Sequence, residues 1–322
     1  MKAIVQDTYG SVDVLELRDI TPPIATADEV LVRVHSAGVS RGTAHLMTGE
    51  PYAMRLMGFG FRGPKTPVVG QDVSGTVVAI GADVTRFAVG DEVFGIANGS
   101  FAEYAAALQD KLAHKPANLS FEQAAAIGIS GLTALKALEV ARVEAGQSVL
   151  VIGASGGVGT YAVQIAVALG AKVTGVASTS KVDLVAALGT VRVIDYIAED
   201  FADGSQKYDV ILDIGGMSSV SRLRRALTPK GTLVIVGGES GSTWSPGMSR
   251  QLLAAVLSPF VGQRLTMAMN KEHYSGLERL AKLAADGQIT SVIERSYSLA
   301  QVPDAIRHLE AGKARGKVVI TV

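Results

Sequence analysis

Cysteine is absent from all 322 residues. That absence excludes disulfide bridges, thiolate zinc sites, iron–sulfur clusters and nucleophilic cysteine chemistry together. Aromatic residues are scarce at 5%, with one tryptophan, Trp244, and they do not cluster with basic ones. An excess of one charge is missing as well, because Lys plus Arg and Asp plus Glu balance at 30 each. A nucleic-acid partner is therefore not expected, and small substrates with little charge fit better. No apolar run reaches the roughly 18 residues of a spanning helix. Met1-Lys-Ala-Ile-Val-Gln-Asp7 also lacks the apolar core of a signal peptide. The expectation is a cytoplasmic chain with no membrane partner.

What is present falls into two patterns. At roughly 150 residues per domain the length predicts two domains. From Lys2 to about Ala117, short β-rich runs such as Val30–Val34, Gly75–Ile80 and Gly90–Gly95 alternate with glycine and proline. They predict a compact β-barrel or partly open sheet. Ser120-Phe-Glu-Gln123 then reads as a capping box before an alanine-rich helix. Beyond it, apolar strands (Val149–Ile152, Lys172–Val176, Val191–Ile194, Asp209–Ile214, Thr232–Val236 and one around 264–269) alternate with helices, including one near Lys181–Leu188. Strands apolar on both faces are covered on both faces, so an α/β doubly wound parallel sheet is expected.

The stretch Gly153-Ala-Ser-Gly-Gly-Val-Gly159 joins the first of these strands to a helix. A turn so placed aims free backbone N–H groups and the positive end of the helix dipole at an anion, most often a dinucleotide pyrophosphate. Gly156 and Gly157 permit close approach of that anion, and Gly159 lets the helix pack on the strand. A free ribose 2′-hydroxyl is normally held by an acid about 20 residues further on. Here Ala177-Ser-Thr-Ser-Lys181 offers Ser178, Ser180 and Lys181 instead, which suit a 2′-phosphate and favour NADPH. Asp183 keeps a ribose contact open.

The run Gly146–Gln164, together with Gly70-Gln-Asp-Val-Ser-Gly75, Gly90-Asp-Glu-Val-Phe-Gly95, Gly131-Leu-Thr-Ala134 and Ala314-Arg-Gly-Lys317, resembles the medium-chain dehydrogenase/reductase superfamily in its zinc-free quinone oxidoreductase branch. The resemblance implies a GroES-like β-barrel catalytic domain over 1–120, a Rossmann domain over 121–269, and a segment 270–322 completing the catalytic domain. It implies cofactor contacts at Thr133, Ala154, Ser155, Gly156, Gly157, Val158, Gly159, Ser178, Lys181, Tyr196, Gly237, Gly238 and Lys317. It also implies a homodimer, through an edge strand near 264–269. Zinc-dependent relatives carry Gly-His-Glu where this chain has Gly70-Gln71-Asp72, and a cysteine as first ligand. No metal is therefore expected, and His35, His45, His114, His273 and His308 are scattered. Short-chain dehydrogenase chemistry is excluded because no Tyr-x-x-x-Lys pair occurs.

Without a Lewis acid, the reaction that needs least from the protein is hydride delivery to a quinone or an α,β-unsaturated carbonyl. The family's Asn-Pro-x-Asp loop is replaced by Ser40-Arg-Gly-Thr43-Ala-His45. Ser40, Arg41, His45 and Tyr52 are the candidate catalytic residues for stabilising a developing oxyanion or moving a proton. The segment Glu50–Pro64 reads either as an apolar lid or as a packed loop or subunit contact, and Trp244 either lines the substrate cleft or packs. Two alternatives stay open: an enoyl-thioester reductase with Arg55, Arg62 and Lys65 at a basic entrance, and a non-catalytic NADPH-binding sensor or interaction protein.

Overall fold

The computed structural model covers residues 1–322 and describes all but 51, 53, 54, 56–59, 61, 62, 238–247 and 269–271. The chain forms two compact units, Met1–Leu132 with Lys271–Val322, and Thr133–Asn270. The division falls inside one helix, twelve residues beyond the change of character at 120 that the sequence suggests.

The first unit opens with strands β1 (Lys2–Val5), β2 (Glu16–Asp19) and β3 (Glu29–Val39), helix α1 (Arg41–Thr48), and strands β4 (Asp72–Ile80), β5 (Glu92–Ile96), β6 (Tyr104–Leu108) and β7 (Leu112–His114). Helix α2 (Phe121–Ala141) follows and runs across the division. The second unit holds β8 (Ser148–Ile152), α3 (Gly157–Ala168), β9 (Lys172–Ala177), α4 (Val182–Ala186), β10 (Arg192–Asp195), β11 (Tyr208–Asp213), α5 (Val220–Ala226), β12 (Leu227–Ile235), α6 (Met248–Leu257) and β13 (Arg264–Met267). The chain returns to the first unit with α7 (Tyr274–Ala285), β14 (Ile293–Ser298), α8 (Val302–Glu310) and β15 (Lys317–Thr321).

In the first unit the main sheet runs β14-β15-β3-β4-β5-β7, with β6 also on β3. Strand β3 is long enough to serve three neighbours: β6 pairs with residues 29–33, β15 with 36–39, and β4 along most of its length. No pairing joins β14 to β7 among the described residues, which is the partly open form of the expected barrel. Inward valines of β3 and β4 (Val30, Val32, Val34, Val73, Val77) pack with Val318 and Ile320 of β15 and Val302 and Ile306 of α8. Burying such a side chain fully contributes about 1.5–3 kcal/mol.

The second unit is a six-stranded sheet, order β10-β9-β8-β11-β12-β13, parallel throughout. The strand order reverses between β8 and β11, and a ligand of such a sheet sits at that switch point, beyond the carboxyl ends of the strands.

The expected capping box begins α2: Gln123 N donates to Ser120 Oγ at 3.1 Å, and Ser120 N to Gln123 Oε1 at 2.9 Å. By length and composition this helix could cross a membrane, against the sequence reading, yet 72% of its apolar window is buried inside the protein. Its axis breaks at Gly128 (φ −14°, ψ −113°). The break admits the Asp72 carboxylate, which accepts from Ile129 N at 2.6 Å and from Lys317 Nζ at 3.2 Å. Lys317 also donates to Ser130 Oγ at 3.1 Å. Asp72 and Lys317 are both essentially inaccessible, with side chains 0% and 2% exposed. A β-carbon at Gly128 would stand 2.2 Å from Asp72 Oδ1, and one at Gly38 2.8 Å from Oδ2.

Burial pushes the Asp72 carboxyl above its ordinary value, opposed by the Lys317 ammonium and the Ile129 N–H. An acid whose folded pKa exceeds its unfolded one stabilises most below the unfolded value and loses that contribution as pH rises toward the folded value. Lys317→Met removes the opposing cation and extends that loss upward in pH. Its stability deficit should therefore be small near pH 4 and grow to about 3–5 kcal/mol near pH 8. Thermal and urea denaturation of both proteins across that range checks it, and a deficit independent of pH would contradict it.

Candidate active and cofactor-binding sites

In the second unit, β8 ends at Ile152 and the chain turns at Gly153 with φ 85° before Gly156 caps α3. The cap offers no side-chain hydrogen bond and the first turn carries no acid. The first backbone N–H groups of a helix have no partner within it, so those of Gly157, Val158 and Gly159 are placed where they could donate to an anion. A β-carbon at Gly159 would lie 2.1 Å from Gly153 O, so only glycine lets α3 approach its strand this closely. At Gly156 the nearest atom to a β-carbon is Gly153 O at 3.5 Å. That side of the turn is an open cradle, and a dinucleotide pyrophosphate fits it. Ala154 and Ser155 are buried beneath.

The structure brings Ser178, Lys181 and Tyr196 together at the carboxyl ends of β9 and β10. Asp195 is in register with Ala177, Tyr196 N donates to Ala177 O at 3.1 Å, and Lys181 N to Ser178 O at 2.8 Å. The Tyr196 side chain is exposed. Asp195, not singled out from sequence, lies beside them with its carboxylate turned onto Thr179 Oγ1 and Ile197 N. A search for an acid at the end of β10 as well as β9 would have found it. Asp183 sits exposed in the first turn of α4.

Toward β12, Gly237 is jammed against the turn after β11, since a β-carbon there would stand 2.0 Å from Ile214 O. Asp213 closes β11, fully buried, with its carboxyl pushed up by burial and held by Arg250. Thr133 lies half-buried on α2, while Gly238 and Trp244 lie outside the described residues. Lys317 is placed otherwise than expected. Its ammonium is engaged by Asp72 and Ser130 in the core, so it is not presented to a phosphate.

The catalytic candidates are also rearranged. The Ser40–His45 stretch, read from sequence as a loop, lies at the start of α1, because β3 extends to Val39 and Ser40 then caps the helix by accepting from Thr43 N at 3.4 Å. Thr43 is buried, Arg41 exposed and His45 half-buried. The Tyr52 ring lies 4.6 Å from the Arg55 guanidinium, which also covers Tyr9 at 4.4 Å. Arg55 donates to Gly49 O at 2.9 Å and Thr48 O at 3.2 Å. It thereby takes up the last carbonyls of α1. Arg62 and most of the 50–64 segment lie outside the described residues, and Lys65 is exposed.

A cavity of about 220 Å³ opens in this unit, lined by Gln6, Tyr9, Met47, Gly70, Gln71 and Asn98 among others; Ser40, Arg41, His45 and Tyr52 do not line it. Gln6 is anchored by Nε2 donating to Met47 O at 3.3 Å, and its buried Oε1 has no hydrogen-bond partner among the described residues. Gln71 is the polar residue that sequence reasoning passed over. Its position was noted only as the place of a missing histidine ligand. A β-carbon at Gly42 would meet Ser40 Oγ at 3.4 Å and Gln71 Oε1 at 3.5 Å. The Gln71 carbonyl oxygen thus faces the first turn of α1. Among the described residues no three His, Cys, Asp or Glu side chains converge to hold a metal ion. With glutamine at 71 and no cysteine, the donor set does not fit a catalytic zinc.

Comparison with known proteins places residues 26–117 in the family described as alcohol dehydrogenase GroES-like domain and 188–320 in that described as zinc-binding dehydrogenase. The chain is 34% identical to a 2-methylene-furan-3-one reductase of Solanum lycopersicum, over 99% of this chain and 79% of the relative. It is likewise 34% identical to an NADPH-dependent alkenal/one oxidoreductase, chloroplastic, of Arabidopsis thaliana, with the same coverage. The solved structure of the quinone oxidoreductase from Coxiella burnetii superposes with a TM-score of 0.87 at 32% identity, covering 100% of this chain and 99% of that one.

Lys181→Ala should raise the dissociation constant for NADPH about tenfold or more while leaving that for NADH nearly unchanged, as expected for loss of a charge-assisted phosphate contact. Titration of nucleotide fluorescence measures both, and equal weakening of the two would remove Lys181 from the 2′-phosphate site.

Proposed function

This chain belongs to the medium-chain dehydrogenase/reductase superfamily, in its quinone oxidoreductase-like branch, and from that premise we propose that it is an NADPH-dependent, zinc-independent reductase of quinones or α,β-unsaturated carbonyl compounds. The observation that carries this reading is the Gly153–Gly159 turn, which brings a helix N-terminus without a side-chain cap to the switch point of the parallel sheet. When bound, NADPH supplies a hydride for an electrophilic carbon. The Gly153–Gly159 turn holds its pyrophosphate, and Ser178, Lys181 and Tyr196 hold its 2′-phosphate.

The catalytic unit binds the acceptor and stabilises the negative charge that grows on its oxygen. The cavity beside Met47, Tyr9 and Gln71, of about 220 Å³ with both apolar and amide side chains in its lining, has room for a small acceptor. Gln71 is suited to its carbonyl end: with Oε1 facing α1, its Nε2 is the donor left for a carbonyl oxygen. Ser40 and Thr43 act one step back, as the cap that sets the helix bearing Met47 against the cavity.

A homodimer belongs to the same proposal. Leu252 and Val256 of α6 and Phe260 just after it are 68%, 57% and 83% exposed. They lie next to β13, the edge strand of the parallel sheet. An apolar cluster beside an open strand edge suits pairing with a second copy. Cytoplasmic residence is also part of the proposal, and it is independent of the chloroplastic name of one relative.

The reductase is tested by following NADPH oxidation in stopped flow with 1,4-quinones and with α,β-unsaturated ketones, with and without chelator. Turnover insensitive to chelation is expected. Gln71→Leu should lower kcat on the order of a hundredfold with little change in KM for NADPH, the usual scale for loss of one oxyanion donor. Wild-type turnover in that variant would return the role to Ser40, Arg41, His45 or Tyr52.

For the assembly, sedimentation velocity should show a dimer that Phe260→Glu converts to monomer. A wild-type chain that sediments as a monomer would sink the dimer while leaving the activity untouched.

A further inference from the structure

The turn after β11 is held by a buried ion pair. Gly216 sits at φ 69°, a left-handed conformation. Its N–H donates to Asp213 Oδ1 at 3.2 Å and its carbonyl accepts from Arg250 Nη1 at 2.6 Å. Arg250 Nη2 closes the ring on Asp213 Oδ2. Asp213 is wholly buried and the Arg250 side chain is 12% exposed. A charge pair withdrawn from water this far is costly unless its geometry is satisfied. Here both polar groups of one glycine are fixed by it.

That glycine belongs to the hub of the switch point. Ile214 N and Gly215 N donate to Ile152 O, the last residue before the Gly153 turn, at 3.1 and 3.0 Å. Val236 N and Gly237 N donate to Asp213 O at 3.0 and 3.1 Å. A β-carbon at Gly153 would stand 2.9 Å from Gly215 N. The turns after β8, β11 and β12 are therefore tied to one another through their backbones. The 2′-phosphate residues lie on the β9 and β10 side of β8, so the other half of a dinucleotide crosses the β11 and β12 side.

We propose that Arg250 and Asp213 are positioning residues, a clamp that fixes the Ile214–Gly216 turn and so seats the nicotinamide half of the cofactor. This rests on the NADPH reading above. Arg250 acts through Gly216, with no contact to the cofactor implied. Lysine at 250 would keep a charge beside Asp213 but lacks the planar fork that reaches Gly216 O at the same time.

The deciding experiment titrates NADPH and 2′,5′-ADP, which carries only the adenosine half, into wild type and Arg250→Lys by calorimetry. The expected result is a dissociation constant for NADPH raised about tenfold, equivalent to about 1.4 kcal/mol, with that for 2′,5′-ADP unchanged. No change for NADPH, or equal weakening of both, would overturn the clamp. A wild type that binds neither nucleotide would take down the cofactor reading and the clamp with it. A wild type that binds both equally tightly would keep the cofactor reading and remove the clamp.

Hydrogen exchange on the wild type keeps the question answerable even if the variant is insoluble. NADPH, and not 2′,5′-ADP, should slow exchange at residues 214–216. Equal slowing by both, or by neither, counts against the clamp.

Discussion

The ion pair between Asp72 and Lys317 is the constraint around which the first unit is arranged. Its partners are 245 residues apart in sequence, on β4 and β15, and it also holds the broken turn of α2 through Ile129 and Ser130. A buried carboxylate needs both a cation and a hydrogen-bond donor. The helix supplies the donor only by giving up its regular path at Gly128. Gly38 on β3 is cut back on the other side for the same carboxylate. Three strands and one helix thus meet at a single charged group, and the sheet that frames the cavity takes its arrangement from that meeting.

The second unit adds close approach to its own buried pair, Asp213 with Arg250. Gly153, Gly159, Gly175 and Gly237 each sit where a β-carbon would collide with backbone or with a buried side chain. Removing side chains from the strand ends lets the turns lie edge to edge, and it leaves backbone N–H groups as the surface offered to a ligand. Each unit thus places polar groups in a water-poor setting with a buried ion pair and glycines cut back beside it.

Local features were legible in the sequence. The alternation of apolar strands with helices, the Ser120–Gln123 capping box and the Gly153–Gly159 turn are all written within short windows, and each takes the form its residues dictate. What escaped depends on residues brought together from afar. Asp72 and Lys317 carry no local mark of each other, so Lys317 read as a cofactor contact. Helix α1 was missed because Gly42 and Thr43 are poor helix formers and a β-rich segment precedes them. The cue was Ser40, a strong cap residue, together with Gly49, which ends the helix at φ 66°. Gln71 was read for the ligand it is not, and its own amide became relevant only once the cavity beside it was visible.

The path of the chain gives the Asp72 pair a temporal meaning. Strand β15 lies between β14 and β3, yet residues 317–321 leave the ribosome after the whole of the second unit has been made. The parallel sheet has all its strands in hand first and can mature on its own. The first 132 residues must wait, with a carboxylate committed to the interior and its cation still unsynthesised. Completion of the first unit is thereby tied to the synthesis of Lys317, which follows that of the whole second unit, and a chain released before Lys317 holds a complete parallel sheet and an incomplete first unit.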